Sequence, residues 1–208
     1  MDGDFRLMGH VPGAVRSDAG MALIDKDRAD MAFRVCKKVL DRHLSGKGFV
    51  KYRTNAYIRK NAVDVCEYID LQKDAHGSCT FTVNYALIPL YIPHDCLSFT
   101  LGGRLGSLIC GSDIWWDSAD EDIAAISFKN VSDAIDIYLL PWFEKLCNNA
   151  EIKSALLCRK ADNEARGGHL SRMQQQWLDC IDDHTGRDDI IRENIGTLKL
   201  PAGLIPEE

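Results

Sequence analysis

No apolar run in this 208-residue chain approaches the roughly 18 residues that a membrane-spanning helix requires, and even Ala86 to Ile92 is broken by Pro89. The first twenty residues lack the continuous apolar stretch of a secretory signal, so neither a membrane span nor a secretory leader is expected. Cys-x-x-Cys is absent although there are 8 cysteines. They are scattered, and several fall at apolar positions of predicted strands and helices, a pattern suited to free thiols in a reducing cytoplasm. Gly-x-Ser-x-Gly is missing, and Gly102-Gly103-Arg104-Leu105-Gly106 lacks the Lys-Ser/Thr ending of a phosphate loop. Internal repeats, low-complexity tracts and coiled-coil heptads are also wanting, which argues against solenoids and long coiled coils. With no catalytic motif, an enzyme is not favoured, and neither a cofactor nor a metal is expected.

What is present is ordinary globular material. With 46% apolar and 27% charged residues, the chain is long enough to bury roughly 70% of its unfolded surface. Charge is unevenly spread. From Arg34 to Lys60 nine cations face the single acid Asp41, a window of +8 that leaves −14 for the rest of a chain at −6. Residues 1–24, glycine-containing and without periodicity, read as a flexible arm, with Met21 as a second possible start. From about Asp27 to Leu44, Ala29, Ala32, Phe33, Cys36, Leu40 and Leu44 recur at helical spacing, with Arg34, Lys37, Lys38 and Asp41 outside. Ser45-Gly46-Lys47-Gly48 ends that helix.

Short β-prone segments follow at about 49–53, 56–59 and 63–71, and then Cys79, Phe81, Val83, Tyr85 and Leu87 alternate with more polar neighbours. Leu97, Phe99 and Leu101 continue the alternation. The segment 131–147 should be helical but kinked or divided at Pro141. Helices near 151–160 and 170–181 come next, and residues from about Leu198 look extended. The expectation is an α+β fold: an antiparallel sheet of about five strands covered on one face by helices, with extra C-terminal helices. The domain spans residues 25–149, and a helical extension over 150–208 packs on it or meets a partner.

Gly48-Phe49-Val50-Lys51 after a helix, Ile69-Asp70-Leu71-Gln72-Lys73, Phe81-Thr82-Val83-Asn84, Arg104-Leu105-Gly106-Ser107-Leu108 and Trp115-Trp116 come in an order that resembles a bacterial family known as domain of unknown function 4304, over about residues 29–147. The resemblance implies a compact bacterial α+β domain without an assigned activity, and it carries over no catalytic residues.

Four residues form the candidate ligand site: Asn84, Arg104, Trp115 and Trp116. Adjacent indoles on an extended chain point to opposite sides, so one can enter the core while the other covers a pocket. The Arg104 guanidinium, flanked by Gly102, Gly103 and Gly106, can grip a carboxylate or phosphate with the backbone close by, or bridge to Asp113, Asp117 or a carbonyl. His76-x-x-Cys79 and His94-x-Cys96 hold zinc-ligand types, but Cys79 and Cys96 open successive strands and should lie about 25–30 Å apart at roughly 3.3 Å per residue. Asp120, Glu121 and Asp122 precede a helix and read as solvated N-terminal acids. The basic set Arg34, Lys37, Lys38 and Arg42, near Tyr52 and Tyr57, suits an acidic protein partner. Nucleic acid is disfavoured by the net negative charge. The functional expectation is a cytoplasmic bacterial binding or interaction module of immunity or accessory type, with a small-ligand sensor or enzyme around Arg104 and Trp115 or Trp116 as the alternative.

Overall fold

The computed structural model describes residues 26–201 and Leu204, so the reading of residues 1–24 as an arm lies outside the described residues. Helix α1 (Lys26–Gly46) turns Ala29, Ala32, Phe33, Cys36, Leu40 and Leu44 inward, as their spacing predicts. It stops where Gly48 takes φ 82°, a left-handed conformation that turns the chain into the sheet. Strands β1 (Val50–Arg53), β2 (Ala56–Lys60), β3 (Val65–Lys73), β4 (Thr80–Pro89) and β5 (Leu101–Arg104) pair in sequence order, all antiparallel. The short helix α2 (Leu105–Cys110) then leaves the sheet, and β6 (Trp116–Asp117) returns to β4 beyond the end of β5. β5 and β6 thus behave as one edge strand interrupted by a helical excursion. The sheet has six strands and the fold is α+β.

One sheet face carries Tyr57, Ile69 and Tyr85 in a row, with Phe81 on the same face of β4. Phe33 of α1 and Phe128 of α3 (Glu121–Ala134) close over Phe81, with ring centroids 5.2 Å and 4.8 Å from it. Asp120 caps α3 by accepting from the Ile123 amide, so the acids expected at a helix start are there. After α3 comes a π-helical turn, Ile135–Leu139, and then α4 (Leu140–Lys145). Pro141 explains the interruption: it has no N–H for the carbonyl four residues back, and Leu140 donates instead to Ile135 O, five residues back.

The opposite face carries Ile58, Tyr68 and Ala86 in one row and Asp70, Asn84 and Arg104 in the next. The C-terminal helices α5 (Asn149–Ala165), α6 (Arg172–Cys180) and α7 (Arg187–Leu198) follow, and α6 and α7 are fixed to the irregular segment after β4. Trp177 of α6 donates its indole N–H to Tyr91, Gln174 donates to Thr100 O, and Asn194 of α7 donates to both Leu90 O and Ile92 O. Three local expectations are corrected. Residues 97–100 are not strand: Gln174 takes the carbonyl of Thr100, and Phe99 stands against Tyr68 with centroids 5.3 Å apart. Helices α2 and α7 were not foreseen, because α2 is only 6 residues long and α7 carries its isoleucines within an acidic stretch. The chain after Leu198 does not run straight on but turns through Lys199 at φ 54°, with Leu200 N bonded to Ile195 O.

Candidate functional site

The register of β4 with its two short neighbours positions the predicted ligand residues. Asn84 faces Arg104 across the ladder and Phe81 faces Trp116. Because side chains alternate along a strand, the two indoles part: Trp116 is 8% exposed and packs near Phe81, whereas Trp115 is 39% exposed. Trp115 lies under Arg104, whose guanidinium carbon is 5.3 Å from the ring centroid. Asn84, Arg104 and Trp115 therefore share the open end of the sheet, and Trp116 does not. Asn84 donates to Gln72 at 3.1 Å and to Asp70 at 3.4 Å, and burial pushes the Asp70 carboxyl above the ordinary carboxylate range. A cavity of about 250 Å³ opens there, lined by Gln72, Asn84, Phe99 and Gly102 to Arg104.

Two features of this place differ from a ready anion grip. Arg104 is bonded to Asp113, the internal bridge that was the competing expectation. The glycines also serve the chain itself. A Cβ on Gly102 would strike Tyr85 O and Ala86 Cα, and one on Gly106 would strike Ile114 N and Ser112 O. Their lack of a side chain lets β5 and α2 lie close to neighbouring backbone instead of admitting a ligand. Trp116 contributes elsewhere, to an apolar groove of about 450 Å³ with Ile109, Ile114, Ile126, Ile137 and Tyr138.

The basic set also divides. Lys37 is only 5% exposed and does not belong to a basic surface. Its Nζ donates to Asp41 at 2.8 Å and to the Tyr57 hydroxyl at 3.2 Å, while Tyr57 donates to Asp41. Burial draws the Lys37 ammonium below its usual pKa range. Burial alone would raise the Asp41 carboxyl, but the hydrogen bonds from Lys37 and Tyr57 hold it below its ordinary value. The position of Lys37, four residues after Phe33 and seven before Leu44, places it on the inward stripe of α1.

Arg34, Lys38 and Arg42 remain on the surface, at successive four-residue steps. The Nε of Arg34 donates to Asp30 O and that of Arg42 to Lys38 O, and among the described residues none of the three is in an ion pair. Beside them runs a stripe that the sequence reading passed over: Met31, Val35 and Val39, exposed at 63%, 41% and 49%. The signal was present as a second apolar four-residue repeat on α1, outside the stripe that faces the core.

Among the described residues no group of three or more His, Cys, Asp or Glu side chains is placed to hold a metal ion, and no helix is long and apolar enough to cross a membrane. No curated protein and no solved structure matches the chain. The family model for a domain of unknown function (DUF4304) matches residues 40–145, from the later part of α1 through the sheet to the end of α4; the match takes in the Arg104 end of the sheet and the Trp116 groove, but of the exposed α1 surface only Arg42. The chain belongs to the DUF4304 family.

Proposed function

We propose that this protein is a cytoplasmic bacterial binding module, of immunity or accessory type, that receives an acidic amphipathic segment of a partner protein along the outer face of α1. One arrangement supports the reading: Met31, Val35 and Val39 form an exposed apolar stripe beside Arg34, Lys38 and Arg42, cations without an ion pair among the described residues. An acidic helix with an apolar edge complements both stripes at once, the helix-on-surface mode of peptide recognition. Polyanionic nucleic acid matches only the cations and is repelled by the net charge of −6.

Fluorescence anisotropy with a labelled synthetic helix, Leu at helical spacing and Glu elsewhere, tests this directly. Saturable binding is expected, weakened at least about tenfold by the triple reversal R34E/K38E/R42E, and absent for a matched peptide with Lys in place of Glu. Binding that survives the reversal, or a preference for a single-stranded oligonucleotide over the acidic peptide, overturns the proposal. A second reading, a small-ligand sensor or enzyme at Arg104, draws on the 250 Å³ cavity beside it. It requires Asp113 to yield the guanidinium, so D113A would create or strengthen ligand binding there.

A further inference from the structure

Between the irregular segment that follows β4 and the start of α6 lies a cavity of about 510 Å³, lined by His94, Cys96, Ser98, Arg172 and Gln176 among others. Its chemistry is unlike the apolar groove at Trp116. His94 is 6% exposed and is held at two points: its amide donates to Asn194 Oδ1 at 2.9 Å, and its ring Nε2 lies 2.7 Å from Pro89 O. A carbonyl only accepts, so Nε2 carries the hydrogen and Nδ1 is left as the basic atom, without a partner among the described residues. Burial lowers the imidazole pKa, which favours the neutral, proton-accepting form. Cys96 is an exposed thiol on the same wall. The Ser98 hydroxyl is enclosed and has no hydrogen-bond partner. Arg172, in the first turn of α6, supplies a cation to the rim, and Asp95 supplies one opposing charge.

We infer that this cavity is a thiol-exchange site, in which Cys96 reacts with low-molecular-weight disulfides that carry carboxylates. Arg172 receives a carboxylate of the disulfide. The Cys96 thiol passes its proton by way of solvent to His94 Nδ1, and its sulfur attacks one sulfur of the disulfide. The S–S bond of the reagent breaks, a mixed disulfide forms on Cys96, and the departing thiolate keeps the electron pair and takes the proton back from His94. Cys96 is thereby oxidised and the departing half of the reagent reduced, with no further oxidant needed. The remaining exposed thiols, Cys110, Cys147 and Cys158, are built-in controls because they do not line this cavity.

The test exposes the full chain briefly to oxidised glutathione, or to the uncharged 2-hydroxyethyl disulfide, and maps each cysteine by mass spectrometry after an acid quench. Cys96 should be modified about tenfold faster than Cys110, Cys147 and Cys158. R172Q should slow the glutathione reaction about fivefold and leave the uncharged reagent unaffected, and D95N should speed the glutathione reaction. Arg172 and Asp95 are exposed, so these variants do not endanger the fold. H94Q, which retains a donor for Pro89 O, should slow both reagents. The inference is overturned if Cys96 reacts no faster than the three control thiols, or if R172Q alters both reagents equally or neither.

Discussion

Two regions of the molecule, the sheet under α1 and α3 and the segment that meets α6 and α7, are held together by different means. On the α1 side the cover is apolar area: Phe33, Phe81 and Phe128 meet ring to ring, and Tyr85 lies 4.9 Å from Trp142. Elsewhere α6 and α7 meet residues 90–100, which contain no regular strand or helix, so carbonyls there have no ladder partner. Side chains supply the missing donors. Asn194 reaches two carbonyls and one amide, Gln174 one carbonyl, and Tyr52 of β1 returns the favour by donating to Leu198 O at 2.7 Å. Apolar cover is tolerant of small shifts because area is non-directional. Polar anchoring fixes one position, and removing a single anchor leaves several buried groups unpaired at once.

The contrast can be broken most severely on the apolar side. Phe81→Ala should cost about 3–5 kcal/mol in denaturant unfolding, from lost transfer energy and the cavity left among three rings. Asn194→Ala is expected to cost about 2–4 kcal/mol, with early proteolytic cleavage near α7 as its particular mark. A loss near zero would mean that area, not anchoring, holds these helices. Trp177→Phe, which shrinks a fully buried ring and deletes the bond to Tyr91, should cost about 2 kcal/mol.

Acid should discriminate the two regions further. His94 has a folded pKa depressed below 6.5, so its contribution is complete above that value. As pH falls below it, the unfolded chain takes a proton that the folded chain refuses, and stability declines until the folded pKa is passed. Replacing His94 by Gln should flatten that part of the stability profile. The smallest effect belongs to the open end of the sheet: Asn84→Ala should change stability by less than about 0.5 kcal/mol, since its partners Gln72 and Asp70 retain access to water.

Elements that repeat an apolar pattern over several turns or pleats were legible beforehand. Phe33, Cys36, Leu40 and Leu44 announce α1, and Phe81, Val83, Tyr85 and Leu87 announce β4. The parting of Trp115 and Trp116 followed from strand alternation alone. Position on an element did not reveal what a third segment would do to it. Lys37 looked superficial because it is charged, yet its ammonium meets Asp41 and Tyr57, brought together only by folding. Phe99 continued an alternation that the carbonyl contact of Thr100 with Gln174 interrupts. Helix α7 carries Ile190, Ile191 and Ile195 within an acidic stretch, where the charge outweighed the periodicity. The cavity at Cys96 was illegible because Arg172 is 76 positions away in the chain.

The helical excursion between β5 and β6 has a consequence for how these molecules behave in a crowd. An edge strand offers unpaired amides and carbonyls to any other strand, the starting point of ordered aggregation. Here that edge is cut by α2 into pieces of four and two residues. The opposite edge, β1, is four residues long, irregular between Lys51 and Arg53, and bears both cations. Both margins of the sheet are thus poor templates, and neither invites the strands of another copy to stack on it.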